Sequence, residues 1–295
     1  MSLTTNKSVK TMTLAGLMES KSFLQRALLG IIALLFSWGV QAQGIVGSVH
    51  DLSSGGTAQG TGTNDQVCVY CHTPHASDTT APAPLWNKTL GAASYSQYST
   101  LNTASFESDE APVGSVSLAC LSCHDGTQSM DVVVNAPGRG MGAGNIDGGA
   151  RTMTNATGAF VPMLGTDLTN DHPISMQYAG GGIDTTTHTL TATASQSTVT
   201  LGDPDFVQPY GATINTNPVW WVNTAVGASD DRQKTDMLLY TRNDANNGAG
   251  EIEPFVECGS CHDPHNAGTF VADEQVAFLR ISNAASAVCT ACHVK

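Results

Sequence analysis

The motif C-x-x-C-H constrains this chain more than any other feature, because it occurs four times and uses all eight cysteines. The four copies are Cys68, Cys71 and His72; Cys120, Cys123 and His124; Cys258, Cys261 and His262; and Cys289, Cys292 and His293. In c-type haem attachment, two thiols one helical turn apart add to the vinyl groups and the following histidine ligates the iron. One copy could be a redox pair or half a zinc site. Four copies with no cysteine left over predict four covalently bound c-type haems.

Residues 1–42 have the features of a secretion signal. Basic residues precede an apolar run from Ala27 to Val40, and Val40-Gln41-Ala42 offers a small-residue cleavage site. The apolar run is shorter than the ~20 residues that a membrane-spanning helix needs. We therefore expect an exported protein without a membrane span, beginning near Gln43. An extracellular or cell-surface location is predicted, with the periplasm as the alternative.

Charge and composition narrow the possible partners and the fold. Without the signal, 8 basic and 24 acidic side chains remain, a net charge of −16. So acidic a chain is a poor candidate for binding nucleic acid or an anionic membrane. Aromatic residues are only 6% of the sequence, few for an ordinary core of this size. The predicted fold is therefore a multihaem cytochrome c that is mostly loop, with short α-helices at the motifs, a small β element and a haem-packed core.

The positions of the motifs predict three regions after the signal. Residues 43–125 hold a first haem pair and residues 258–295 hold a second pair. The first and third motifs share the longer form C-x-x-C-H-x-P-H, which agrees with duplication of a two-haem unit. The intervening residues 126–257 form a Gly/Thr-rich insert. Threonine alternates with apolar residues within 183–201, which predicts short strands, most simply a hairpin.

A count of histidines predicts the second axial ligand of each iron. The four motif histidines are the proximal ligands and leave five others: His50, His75, His172, His188 and His265. Four more ligands are needed if every iron carries two histidines. The predicted distal ligands are His50, His75, His172 and His265. Because Pro173 holds His172 in extended backbone, we expect a buried, rigidly presented ligand there.

Three further points concern these ligands. His75 and His265 each follow a proximal ligand by three residues and point away from its iron, so each should reach a neighbouring haem. His188 shares strand parity with Leu190, but ordinary packing is the simpler interpretation of a lone strand histidine. Methionine ligands would raise the haem potential. Since enough histidines exist, we treat the methionines as packing residues and expect low potentials.

Several segments resemble those of the multihaem cytochromes with doubled C-x-x-C-H motifs. They are Val49-His50-Asp51-Leu52, the C-x-x-C-H-T-P-H run, Ala83-Pro84-Leu85-Trp86-Asn87, Cys120 to Gly126, Asp171-His172-Pro173 and Phe278 to Asn283. More narrowly, the chain resembles the tetrahaem OmcE-type extracellular cytochromes, which polymerise into conductive filaments (nanowires). The resemblance covers both haem regions but not the insert.

The resemblance implies bis-histidine haems stacked along a filament, in which a histidine of one subunit ligates a haem of the next. By position, His50 and the haem at His293 are the candidates for that junction. The expected partners are further copies of the chain, other redox proteins or extracellular acceptors.

The predicted function is electron transfer through closely stacked haems rather than enzyme catalysis. A soluble periplasmic tetrahaem shuttle would share every haem residue and differ only in assembly. A multihaem reductase would need an iron with an open position. Five spare histidines argue against that alternative, and so does the absence of a variant motif such as C-x-x-C-K.

Overall fold

We describe the protein from a computed structural model, which covers residues 44–56, 63–103, 108–138, 144–147, 151–153, 163–224, 230–243, 252–266 and 278–294. The predicted signal, residues 1–42, lies outside these residues. The chain divides after Ala42 into two units, and the second, Gln43–Lys295, contains every described residue. None of the described helices is both long enough and apolar enough to cross a membrane.

The described secondary structure consists of three short helices, eight strands and four 3₁₀ turns. The helices are α1 (Ser115–His124), α2 (Cys258–Cys261) and α3 (Ala287–Cys292). The strands are β1 (Val132–Val133), β2 (Gly144–Asn145), β3 (Met176–Gln177), β4 (Ser195–Gln196), β5 (Tyr210–Ile214), β6 (Asn217–Val222), β7 (Met237–Arg242) and β8 (Glu253–Val256). The 3₁₀ turns are Val67–Tyr70, Tyr98–Leu101, Tyr178–Gly180 and Ala284–Ser286.

An antiparallel sheet of six strands, in the order β3-β8-β7-β6-β5-β4, occupies the insert. Its β5–β6 hairpin turns at Asn215 and Thr216, which both have positive φ, 48° and 67°. Two successive residues of positive φ belong to the turn type that matches the twist of a two-residue hairpin. Strands β1 and β2 form a separate two-stranded ribbon. The sheet is therefore built largely from neighbouring strands in sequence.

The core of the sheet is an apolar cluster around Trp220, which is fully buried. The cluster also contains Tyr178, Val222, Met237 and Leu239. Trp220 pairs with Leu239 on β7 and with Gly211 on β5. A Cβ atom at Gly211 would lie 2.8 Å from the Trp220 ring and 2.5 Å from Leu190. Glycine at position 211 thus allows the indole and Leu190 to close over the strand.

The prediction of a mostly loop, haem-packed fold is wrong, because the chain contains this six-stranded sheet and a core of protein side chains. The run Val219-Trp220-Trp221-Val222 is continuously apolar, and its last three residues are buried. Strands buried on both faces show such runs rather than a period of two. The predicted hairpin within 183–201 is also wrong: only Ser195–Gln196 forms a strand there, and it pairs with β5.

The Leu239 side chain provides a test of this core. We expect Leu239→Ala to lower the free energy of unfolding by about 2–5 kcal/mol, since it leaves a cavity against Trp220. The matched control Leu101→Ala removes a leucine that is 47% exposed and should change it by no more than about 0.5 kcal/mol. Urea unfolding of the mature protein measures both. Equal effects of the two substitutions would contradict the assigned core.

Candidate haem sites

Each C-x-x-C-H motif is wound into about one helical turn. In the first, third and fourth motifs the histidine N–H donates to the carbonyl of the first cysteine, at 2.8, 3.1 and 2.9 Å. The second motif is the end of α1, where Cys120, Cys123 and His124 follow at helical spacing. Residues three and four apart lie on one face of a helix. The two thiols and the imidazole of each motif therefore come from one face.

Three motifs are closed by the same antiparallel bridge. His72 bridges to Trp86, His262 to Leu279 and His293 to Phe206. In each case the carbonyl of the motif's second cysteine accepts a hydrogen bond from a backbone N–H. The donor is the residue that follows the bridging partner: Asn87, Arg280 or Val207, at 2.8, 2.8 and 2.9 Å. The likeness of the first and third motifs was visible in the sequence. That of the fourth was not, because its closing segment precedes the motif by more than 80 residues.

No two of the eight cysteines form a disulfide. Burial raises the pKa of Cys71 and Cys292 to about 12 and that of Cys261 to about 11. Buried thiols of this kind stay protonated at neutral pH and resist disulfide exchange. Free thiol pairs beside a histidine are the groups that c-type haem attachment consumes.

The first motif faces a histidine that follows the third motif. The His72 and His265 rings are nearly parallel, at an interplanar angle of 17°, with centroids 6.1 Å apart. Two imidazoles that share one metal through bonds of about 2.0 Å have centroids roughly 6 Å apart. His72 Nδ1 lies 2.8 Å from the Pro84 carbonyl, which orients the ring and leaves Nε2 for a metal. This pair fits an iron between its two rings.

The second motif lies beside His50, whose ring plane is turned by 72° from that of His124. The His50 and His124 ring centroids are 6.0 Å apart. His50 stacks on Phe278 at 4.1 Å and hydrogen-bonds the Pro264 carbonyl. Burial, followed by the nearby His124, lowers the pKa of His50 to about 4. The imidazole is therefore neutral at physiological pH, which is the state that ligates iron.

These two pairs fit a haem in number as well as in spacing. No three His, Cys, Asp or Glu side chains converge as a metal site within the described part of the chain. A haem iron needs only two protein ligands, because the porphyrin nitrogens supply the rest. The free thiol pairs, the ring spacings and the oriented imidazoles thus agree with haem, although they would not form an all-protein metal centre.

The other three spare histidines are placed differently. His75 is exposed and borders a cavity of about 390 Å³ beside the first motif. His172 is also exposed, with Nδ1 3.0 Å from the Pro173 carbonyl, so the prediction that it is buried is wrong. The cause is its position in a surface segment that Pro173 keeps extended. The ring of half-buried His188 lies 5.4 Å from Trp220, and its Nε2 is covered without a hydrogen bond.

Cysteines of different motifs lie close to one another. The Cys71 thiol is close enough to Cys123 for their ionisations to interact, and the same holds for Cys261 and Cys292. Between the second and third motifs, the Cys120 thiol donates a hydrogen bond to Cys258, which lowers the pKa of Cys258 and raises that of Cys120. The four thiol pairs form an unbroken series. His265 nevertheless reaches back to the first motif.

A buried carboxylate, Glu257, joins the second and third motifs. It accepts hydrogen bonds from Ser117 on α1 and from Ser175, and its other oxygen lies 3.3 Å from Arg242. Ser117 in turn accepts from the Cys258 N–H at 2.9 Å. Burial raises the pKa of Glu257 above its ordinary value despite these contacts. The network sets the position of α1 against α2.

Strand β7 supports the third motif from the sheet side. A Cβ atom at Gly259 would lie 2.2 Å from the Tyr240 hydroxyl. Glycine inside this motif therefore lets α2 pack directly on β7. Sequence reasoning missed Glu257, Tyr240 and Lys88, which is described below. For Glu257 a signal existed, since it is an acidic residue immediately before a motif and at the N-terminal cap of α2.

Comparison with known proteins adds no assignment, because no family model matches the chain and a search of the curated proteins finds no match.

The Glu257 network predicts a specific effect of pH. Because its pKa is raised, folded Glu257 holds a proton that the unfolded chain releases, so its contribution to stability falls as pH rises above about 4.5. Glu257→Gln keeps an acceptor for Ser117 and removes the titration. Urea unfolding at a series of pH values should show the variant gaining stability relative to the unsubstituted protein as pH rises.

Glu257→Ala serves as the comparison, because it removes the acceptor as well. It should be less stable than Glu257→Gln by roughly 3 kcal/mol at every pH, since two serine hydroxyls and Arg242 lose their buried partner. A stability difference between the Gln variant and the unsubstituted protein that is constant with pH would contradict the raised pKa of Glu257.

Proposed function

We propose that this protein is a tetrahaem c-type cytochrome that transfers electrons. The observation that carries the proposal is the pairing of motif histidines with spare histidines at the spacing of two imidazoles on one iron, 6.1 Å for His72 with His265 and 6.0 Å for His124 with His50. Each of these two histidine pairs lies beside the two cysteines of a C-x-x-C-H motif.

In this function the residues hold, orient and shield the haems. The eight cysteines attach the cofactors, and His72, His124, His262 and His293 are the proximal ligands. His265 and His50 are the distal ligands of the first and second haems. A bound haem supplies a one-electron couple at its iron. Since the chain would supply two histidines to each of these two irons, electron transfer is favoured over catalysis on a substrate.

The series of thiol pairs favours a relay through the motifs in sequence order. Cys71 and Cys123, Cys120 and Cys258, and Cys261 and Cys292 are the neighbours that link successive motifs. Haems attached at these thiols would then lie in neighbouring positions. Electrons from a partner redox protein would enter at one end and leave at the other.

Haem content and axial ligation test this function. The exported, mature protein should carry four haems by mass spectrometry and pyridine haemochrome assay, with no free thiol remaining. We expect the haems of the first and second motifs to be low-spin, because the chain offers each of their irons two histidines. In His265→Ala one haem of the four should become high-spin, with a return to low-spin when imidazole is added.

The matched control is His188→Ala, which removes a histidine that lies against Trp220 and is not a predicted ligand. It should leave the haem spectra unchanged. Absence of haem from the mature protein would refute the proposed function. Four haems with an unchanged spectrum in His265→Ala would keep the function and refute this ligand.

A filament subunit, exported to the cell surface, is the more specific form of the proposal. Exposed His172 favours it. Its Nδ1 contacts the Pro173 carbonyl, which leaves Nε2 as the nitrogen that could ligate a haem iron of another subunit. His50, the positional candidate for a junction, lies inside the chain against His124. We therefore assign the junction to His172 rather than to His50.

Electron microscopy of the mature protein from its native cells tests the filament. We expect filaments with a repeat of four haems, and single particles of unchanged haem content in His172→Ala. His75→Ala is the control, since His75 is also exposed but is not assigned to the junction, and it should preserve the filaments. If the unsubstituted protein forms only single particles, the filament is refuted and the protein is a diffusible electron carrier.

A further inference from the structure

Lys88 is a buried cation that no carboxylate neutralises directly. The residue is only 1% exposed. Its Nζ donates to the carbonyls of Ser129 and Val132, both at 2.9 Å, and to that of Met130 at 3.4 Å. A lysine ammonium has three donors and no acceptor, so the three carbonyls use all of its hydrogen bonds. None of the ion pairs between described residues includes Lys88.

Its position in the chain places this charge at the first motif. The preceding residue, Asn87, donates its N–H to the Cys71 carbonyl at 2.8 Å and its side-chain amide to the Val69 carbonyl at 2.7 Å. Two hydrogen bonds thus attach the backbone next to Lys88 to the C-x-x-C-H turn. The lysine cannot move away from that motif without breaking them.

The same charge also lies near the second motif. The carbonyls that hold Lys88 belong to residues 129–132, a few positions after the end of α1. Its positive charge lowers the pKa of both the Cys71 and the Cys123 thiols, against the larger effect of burial. A buried carboxylate, Asp131, lies on that segment and accepts from the Arg151 N–H at 3.3 Å, so it weakens the field of Lys88.

We infer that Lys88 is a redox-tuning residue that raises the reduction potentials of the haems at the first and second motifs. A haem becomes more negative by one charge when it takes up an electron. A fixed positive charge in a medium of low dielectric constant stabilises that reduced form. Burial keeps the charge from being screened by salt. This inference rests on the proposed haem binding.

Spectroelectrochemical titration of three variants tests the inference. Lys88→Gln removes the charge and keeps an amide donor for the carbonyls. It should lower the reduction potentials of two haems out of four, so half of the absorbance change in the titration should move to lower potential. Lys88→Arg keeps the charge and should titrate like the unsubstituted protein. Lys234→Gln removes an exposed lysine, changes the net charge equally and should also leave the curve in place.

The outcomes separate the inference from the function on which it rests. Superimposable curves for Lys88→Gln and the unsubstituted protein, or an equal shift of all four haems, would overturn the inference while haem binding stands. An unsubstituted protein that contains no haem would overturn the proposed function instead.

A second measurement needs no substitution and applies if Lys88→Gln fails to fold. In the unsubstituted protein, the ¹⁵N resonance of the Lys88 ammonium should move when the haems of the first and second motifs are reduced. It should stay constant when the haems of the third and fourth motifs are reduced. A resonance that does not respond to reduction would overturn the inference.

Discussion

Two imidazole pairs connect the beginning of the chain with its end, and the arrangement of the motifs depends on them. His265, which follows the third motif, lies opposite His72 of the first motif. His50, near the beginning of the described chain, lies opposite His124 while it stacks on Phe278 and bonds to Pro264. Each pair joins residues far apart in sequence. The segments that carry the motifs therefore form one interdependent arrangement.

The sheet of the insert supplies the framework that makes this arrangement possible. Strand β8 leads directly into the third motif, and Tyr240 of β7 packs on Gly259 within it. The fourth motif adds Val288 and Ala291 to the cluster around Trp220. The Gly/Thr-rich insert thus supports two of the four motifs. A protein poor in aromatic residues obtains its rigidity from this sheet.

Buried charges occupy the positions between motifs. Lys88 lies near the first and second motifs, and the Glu257–Arg242 pair lies between the second and third. Arg280, only 8% exposed, donates to the Gly259 carbonyl inside the third motif. Desolvating such groups costs stability unless hydrogen bonds and partners offset it. Charges held here would act at short range, where the dielectric constant is low, on any redox group that the motifs bind.

The sequence alone determined the predicted chemistry of this protein, because covalent haem attachment requires particular residues at particular spacings. The C-x-x-C-H motifs and the count of histidines predicted the cofactors and every candidate ligand. Tertiary structure decided which histidine faces which motif, since His265 could have pointed to any haem within reach. It also decided that His50 lies inside the chain, that His172 is exposed, and that the insert forms a sheet. Local patterns do not carry this information, because ring spacing, burial and strand order arise from contacts between residues distant in the chain.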